Sequence, residues 1–245
     1  GVVHYYVVPH ASGCTGKMDT VDVTVNPVPD AWATPVTPSV CSGLKTNIKL
    51  FSSIPAATFT WIVKSSTNAS GATPSGVTPA AVIEQTLTAT TSSPGSVVYT
   101  ITPKSFGCDG TPIDVSVAVN PNPTTVVSIA SGGDTICSGE MSNVHLTSPT
   151  PGTTFTWTVN QSGVNGAVNG SGTDVGSGVD IKQVLTSIGT TSGKVVYTIT
   201  GAANACSGSN TVDSVIVNPI PTLVVTPLNQ EICSGSQTSI ALVSN

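Results

Sequence analysis

Apolar and polar residues alternate with period two along most of this chain. The clearest run is Ile113, Val115, Val117 and Val119, with Asp114, Ser116 and Ala118 between them. Ile48 and Leu50 alternate with Asn47 and Lys49, and Phe59, Trp61 and Val63 form the next inward row. Ile83, Gln85 and Leu87 make another row, and Val97, Tyr99 and Ile101 a further one. Successive strand side chains point to opposite faces, so each run predicts a strand with one face buried. A second set follows in the same order: Val144/Leu146, Phe155/Trp157/Val159, Ile181/Leu185, Val195/Tyr197/Ile199 and Val215/Val217. Asp213 breaks the inward phase of its strand and is expected near the rim or at a local register shift. No segment has the 3.6-residue period of a helix, and a parallel sheet would need crossover helices. An all-β, antiparallel two-sheet sandwich is the predicted fold class.

The same anchors recur at a fixed spacing. Phe59-Thr60-Trp61 returns as Phe155-Thr156-Trp157, and Cys41-Ser42-Gly43 returns as Cys137-Ser138-Gly139 and Cys233-Ser234-Gly235, each step being 96 residues. Val97 to Thr102 returns at Val195 to Thr200, and Tyr5-Tyr6-Val7-Val8-Pro9 is a weaker form of it. Asn-Pro-x-Pro occurs at Asn26 to Pro29, Asn120 to Pro123 and Asn218 to Pro221. The phase sets the expected organisation: the last two strands of one module in 1–29, whole modules at 30–123 and 124–221, and the first two strands of another in 222–245. A whole module has the size of an Ig domain, roughly 100 residues, with Trp and Tyr where Ig-like cores carry them. Phe59, Trp61, Tyr99, Phe155, Trp157 and Tyr197 are the expected core aromatics.

Composition narrows the function. Only 8% of the 245 residues are charged and the net charge is −5. The seven lysines stand singly and there is no arginine, whereas neutralising phosphates needs clustered cations, so nucleic acid is excluded as a partner. No apolar run approaches the roughly 18 residues of a membrane helix, so membrane insertion of this segment is not expected. Gly1-Val2-Val3 reads as strand rather than as a leader, which suggests a start inside a longer polypeptide.

The ICSG motif (Ile136 to Gly139, Ile232 to Gly235), the TFTW strand, the VxYTIT strand, Gly107-Cys108 and the Asn-Pro-x-Pro linker resemble the PKD-like Ig modules of very large Bacteroidota surface proteins. Such proteins are exported by the type IX secretion system and include giant gliding-motility adhesins of the SprB type. The resemblance covers essentially the whole chain and implies tandem head-to-tail modules, an extracellular location, and a structural or adhesive role. The acidic Trp-Asp-Phe-Gly-Asp-Gly signature of standard PKD domains is absent, because Ile62-Val63-Lys64 follows Trp61 and Thr158-Val159-Asn160 follows Trp157.

Each module contributes two cysteines. One lies in the first inter-strand loop (Cys41, Cys137, Cys233) and one near the last hairpin (Cys14, Cys108, Cys206). An even pattern that repeats with the module predicts disulfides and an oxidising setting. Two connectivities are open. One pairs cysteines within a module, Cys41–Cys108 and Cys137–Cys206. The other staples neighbouring modules, Cys41–Cys206. In an Ig-like strand order the two loops lie at opposite poles, a strand-length of roughly 20 Å apart, whereas bonded Cα atoms lie within about 7 Å. The paired prolines fix φ twice and favour extended backbone, so a semi-rigid rod is expected.

Catalytic signatures are absent from the sequence, and no His repeats with the CSG cysteine to act as its base. His4, His10 and His145 are not spaced as metal ligands, and Asp109, Asp114, Asp174 and Asp180 do not cluster as calcium requires. No enzyme activity, metal or cofactor is predicted. Trp32 has no Trp counterpart in the next module and reads as an inter-module packing residue or, less readily, a sugar platform. Ser65 to Pro79 and Gln161 to Gly178 differ most between modules and are expected to be exposed loops. Asp19-Thr20-Val21, Asp134-Thr135-Ile136 and Asp213-Ser214-Val215 resemble a Bacteroidota O-glycosylation motif, which makes Thr20, Thr135 and Ser214 candidate sites. The leading function is a stalk or filament segment of a large secreted adhesin. Its partners would be neighbouring modules, and also identical chains in a bundle or surface glycans and substrata. The alternatives are a glycan-binding or enzyme-accessory module and a self-assembling filament.

Overall fold

The structure, a computed structural model, describes residues 1–36, 38–78, 81–129 and 134–244. Pro79, at the end of one expected loop, lies outside the described residues. The chain divides into two compact units, Gly1–Pro121 and Asn122–Asn245. All the regular structure in the described residues is β.

In the first unit, Val2–Val7 and Asp19–Thr24 form an exposed antiparallel hairpin. A two-sheet sandwich follows. One sheet orders Trp32–Thr34, Ile48–Phe51 and Val82–Ile83. The other orders Ser75–Thr78, Thr58–Thr67, Gly95–Ser105, Ile113–Asn120 and Ser39–Cys41. The opening segment thus serves both sheets. Pro35 and Pro38 have no N–H to continue the first ladder, and Ser39–Cys41 then pairs in parallel with the last strand, ending at Cys41 opposite Asn120. This parallel pairing at the edge of an otherwise antiparallel sandwich is the Ig-like arrangement.

The inward rows of both sheets meet in one core that includes Ile48, Leu50, Phe59, Trp61, Ile83, Leu87, Val97, Tyr99, Ile101 and Val117. Gln85 is polar but buried in an apolar row. Its backbone N–H donates to Thr46 Oγ1 at 2.9 Å, and its Oε1 accepts the Tyr99 hydroxyl at 2.8 Å. Every group in that chain of bonds has a partner, so burying it carries little penalty. Burial pushes the Tyr99 phenol up to about 12. The Trp61 ring stands edge-on to Tyr99, with centroids 5.5 Å apart, and lies over Gly76 of the neighbouring strand, where a Cβ would meet ring carbon Cζ2 at 2.4 Å.

The second unit repeats this plan. Val126–Ile129, Val144–Thr147 and Val179–Ile181 form one sheet. Gly170–Thr173, Thr154–Ser162, Gly193–Ala203, Thr211–Asn218 and the parallel strand Thr135–Cys137 form the other. Tyr197 is fully buried and donates to Gln183 Oε1 at 3.1 Å. Phe155 is buried too, whereas Trp157 is only partly buried, and its Nε1 donates to Val168 O at 3.2 Å. Asp213 is half-buried opposite Tyr197, and the ladder runs through it without a register shift. A second hairpin, Leu223–Thr226 with Ala241–Ser244, follows.

Candidate functional site: the proline linkers and their cysteines

Two of the three linker proline pairs run into a glycine. In the first unit Pro29 is buried, and a Cβ on Gly110 would stand 1.9 Å from its carbonyl oxygen. In the second, Pro123 is buried, and a Cβ on Gly208 would stand 1.8 Å from its carbonyl oxygen. The backbones are in direct contact, which only glycine permits. Both glycines sit two residues beyond a hairpin cysteine, in Cys108-Asp109-Gly110 and Cys206-Ser207-Gly208. Both are fixed by the same bond, Gly110 N to Pro103 O at 2.8 Å and Gly208 N to Gly201 O at 2.9 Å. The Asn26 amide adds a bond to Phe106 O at 3.2 Å, from the start of the first linker to the same hairpin.

The other end of each module is tied with equal regularity. Cys41 lies opposite Asn120 and Cys137 opposite Asn218 in the parallel register. Ser42 N donates to Asn120 O, and Ser138 N to Asn218 O, each at 2.8 Å. Gly43 and Gly139 turn the chain at φ of +86° and +90°. Ser42 Oγ accepts Ala89 N at 3.1 Å, and Ser138 Oγ accepts Ser187 N at 3.0 Å. The Ser and Gly of CSG are therefore turn residues, and Cys41 and Cys137 stand beside Asn120 and Asn218, which open the linkers that follow. Cys14, Cys108, Cys137 and Cys233 are free thiols. Neither Cys41–Cys108 nor Cys137–Cys206 is formed in this state.

Residues 38–123 and 134–221 each match the family described as PKD-like domain. The chain belongs to the PKD-like domain family. No curated protein matches it. Among solved structures, the FN1–FN3 domains of chicken CNTN1 align over 89% of this chain and 76% of their own, at 9% identity and a TM-score of 0.38. The N-terminal eight Ig domains of Down Syndrome Cell Adhesion Molecule align over 99% of this chain but 30% of theirs, at 10% identity and a TM-score of 0.43. The D00-D0 domain of intimin aligns over 78% of this chain and 99% of its own, at 12% identity and a TM-score of 0.36.

Asp109, Asp114, Asp174 and Asp180 of the PKD-like domains are engaged with their own chain. Asp109 pairs with Lys104 at 3.3 Å, Asp114 with Lys64, and Asp180 with Lys182 at 2.8 Å and His145 at 2.6 Å. Lys182 and then His145 hold the Asp180 carboxyl below its usual range. Among the described residues no three His, Cys, Asp or Glu side chains converge as a metal site would require. Asp174 accepts Gly176 N at 2.7 Å and Gly178 N at 2.9 Å, bonds that lower its pKa. Its contribution is therefore present above the unfolded carboxyl value and is lost as the pH falls through the lowered folded value. Asp174→Ala is expected to cost the second domain about 1–3 kcal/mol at neutral pH. The cost should shrink at pH 2–3, and urea unfolding at both pH values measures it.

Trp32 is half-exposed and stacks on Phe51, opposite it on the adjacent strand of its own domain, with centroids 5.9 Å apart. Thr20 and Thr135 are exposed and lie in strands, while Ser214 is half-buried. In two of the three Asp-Thr/Ser pairs the aspartate accepts the next backbone N–H, at 2.9 Å for Asp19 and 2.8 Å for Asp213. No helix among the described residues is long and apolar enough to cross a membrane.

Proposed function

We propose that the chain is a structural spacer of a large secreted cell-surface adhesin, holding or pulling on a distal binding region. The observation that carries this reading is the linker carbonyl seated on a hairpin glycine in both PKD-like domains. A flexible tether between binding modules has no use for such a seat, whereas a segment that passes tension from one domain to the next does. The resemblance to type IX-secreted gliding adhesins supports placing the parent protein on a bacterial surface, with adhesion and motility as its setting. Thr20, Thr135 and Ser214 are proposed as its O-glycosylation sites, and added hexose mass on peptides from the natively secreted protein tests them.

Single-molecule stretching of the chain under reducing conditions tests the spacer reading. Two separate unfolding events are expected, each releasing roughly 300 Å, the length of an extended chain of one domain's size less its folded span. One merged event, or smooth extension at low force, would count against it. The exposed Trp32–Phe51 pair favours a second reading, that the first domain stacks sugar rings. That reading requires the Trp32 indole resonance to shift on titration with cell-surface oligosaccharides, and Trp32→Ala to abolish the effect.

A further inference from the structure

We propose that the outer face of the sheet Trp32–Thr34, Ile48–Phe51 and Val82–Ile83 binds an acidic polysaccharide, with a sugar ring on the Trp32–Phe51 pair and its carboxylate on Lys49. The choice of sugar rests on the stacking reading of the same pair. Period two decides which residues share this face. Ile48 and Leu50 point into the core, so Lys49 and Phe51 point out. Ala33 points in, so Trp32 and Thr34 point out. Register then lays the outward residues in rows, Trp32 beside Phe51, and Thr34, Lys49 and Val82 across the next. Lys45, opposite Thr86, continues the same face beyond the buried Thr46. The two rings lie within 14° of parallel and are 46% and 41% exposed. Rings held off a flat sheet offer apolar contact area at little further cost in entropy.

Lys49 is what selects the ligand. Of the lysines in this domain, Lys64 and Lys104 pair with Asp114 and Asp109, whereas Lys45 and Lys49 pair with no acid among the described residues. The row neighbours of Lys49, Thr34 and Val82, are uncharged. Two acids lie near the face. Glu84 is exposed two residues beyond Val82. Asp30, two residues before Trp32, is turned to its own loop, where Oδ1 accepts both hydroxyls of Ser52 and Ser53 at 2.9 Å and Ser53 N at 2.7 Å. Lys49 stands two residues along from Phe51, roughly 7 Å between Cα atoms, a span its four-carbon stem covers. An ammonium is a point charge with three donors and suits a single carboxylate. A uronic acid supplies one carboxylate per ring beside an apolar ring face.

The second domain has the same sheet with its charge closed. His145 takes the place of Lys49 and faces Asp180, where the first domain has Val82, and the two bond at 2.6 Å. Lys182 meets the same carboxylate at 2.8 Å. Val126 and Thr147 stand where the first domain has Trp32 and Phe51. The second domain folds the same way without the aromatic pair or the open ammonium, so neither is needed for the sandwich. They occur together on one face of the first domain.

NMR titration of the whole chain with oligogalacturonate, its methyl ester and oligoglutamate tests the proposal. The sugar acid should shift the Trp32 indole and the Lys49 side chain and leave Val126 and His145 in place. Lys49→Gln and methyl esterification should each weaken binding about threefold, the size of one exposed charge contact, and Lys49→Arg should keep it. Added salt should weaken the acid and not the ester. The Trp61 indole resonance, unchanged in each variant, reports that the domain stays folded. An ester that binds as tightly as the acid, with no effect of Lys49→Gln, overturns the acidic assignment and leaves sugar stacking standing. No shift at Trp32 with either sugar overturns both. Oligoglutamate that binds as well as the sugar acid assigns the face to acidic peptides instead. Equal shifts in the second domain mean that no one face is selected, which also overturns the proposal.

Discussion

Tyr197→Ala is expected to unfold the second PKD-like domain at moderate urea while the first stays folded. The Tyr197 ring is fully buried beside Val195 and Ile199 in the inward row, and its hydroxyl is bonded to Gln183. Truncation removes the ring, leaves a cavity, and takes away a partner of the Gln183 amide group. Large aromatic truncations of this kind cost about 3–5 kcal/mol, a large share of the roughly 5–15 kcal/mol that holds a domain folded. Tyr197→Phe keeps the packing and removes only the hydroxyl, so about 1 kcal/mol is expected. The two domains have separate cores, so the loss should be confined to the second. Residue-resolved urea titration by NMR separates the two midpoints. A fall in both would show that the domains do not fold independently.

Gly208→Ala is expected to unseat the linker. The new Cβ would lie 1.8 Å from the Pro123 carbonyl oxygen, and both groups belong to backbone, so one must move. Forcing a carbon into a packed contact costs about 1–3 kcal/mol. Here the cheapest relief is for Pro123 to lift off the hairpin, since the core strands on the other side are held by their ladders. The expected result is faster amide exchange at Asn122, by about tenfold or more (about 1.4 kcal/mol corresponds to a factor of ten), with little change in the core amides. Gly110→Ala should lift Pro29 off its hairpin in the same way, where the Cβ would stand 1.9 Å from the carbonyl oxygen. Gly189→Ala is the control: its Cβ would meet only Thr191 N, at 4.0 Å, and no exchange change is expected there.

The sandwich was legible because period-two alternation states which face of each strand is buried, and because the repeat shows every strand twice. Gln85 sits in an apolar row, and the sequence gives no hint that its carbonyl meets the Tyr99 hydroxyl. That bond ties the break between Val82–Ile83 and Thr86–Ala89 to strand Gly95–Ser105, a juxtaposition only the fold supplies. The CSG repeat was visible, yet its physical content is a left-handed glycine turn and a serine that accepts an N–H from a residue 47 positions away. Gly110 and Gly208 look like ordinary turn glycines in the sequence. Their need to be glycine comes from Pro29 and Pro123, more than 80 residues earlier. Trp32 stacks on Phe51 of the adjacent strand in its own sheet, a pairing that only the register supplies. Trp157, predicted to be core, is only partly covered. Its strand neighbour Gly170 repeats the role of Gly76, but its indole N–H bonds Val168 O, whereas that of Trp61 is buried with no partner.

Of the four linker residues Asn120 to Pro123, Pro121 and Pro123 carry no N–H and have a fixed φ. The backbone order parameter of Asn122, between them, therefore reports on the linker directly. A seated linker predicts a value near that of rigid backbone, about 0.85. A value below about 0.6, the range of flexible segments, would contradict it.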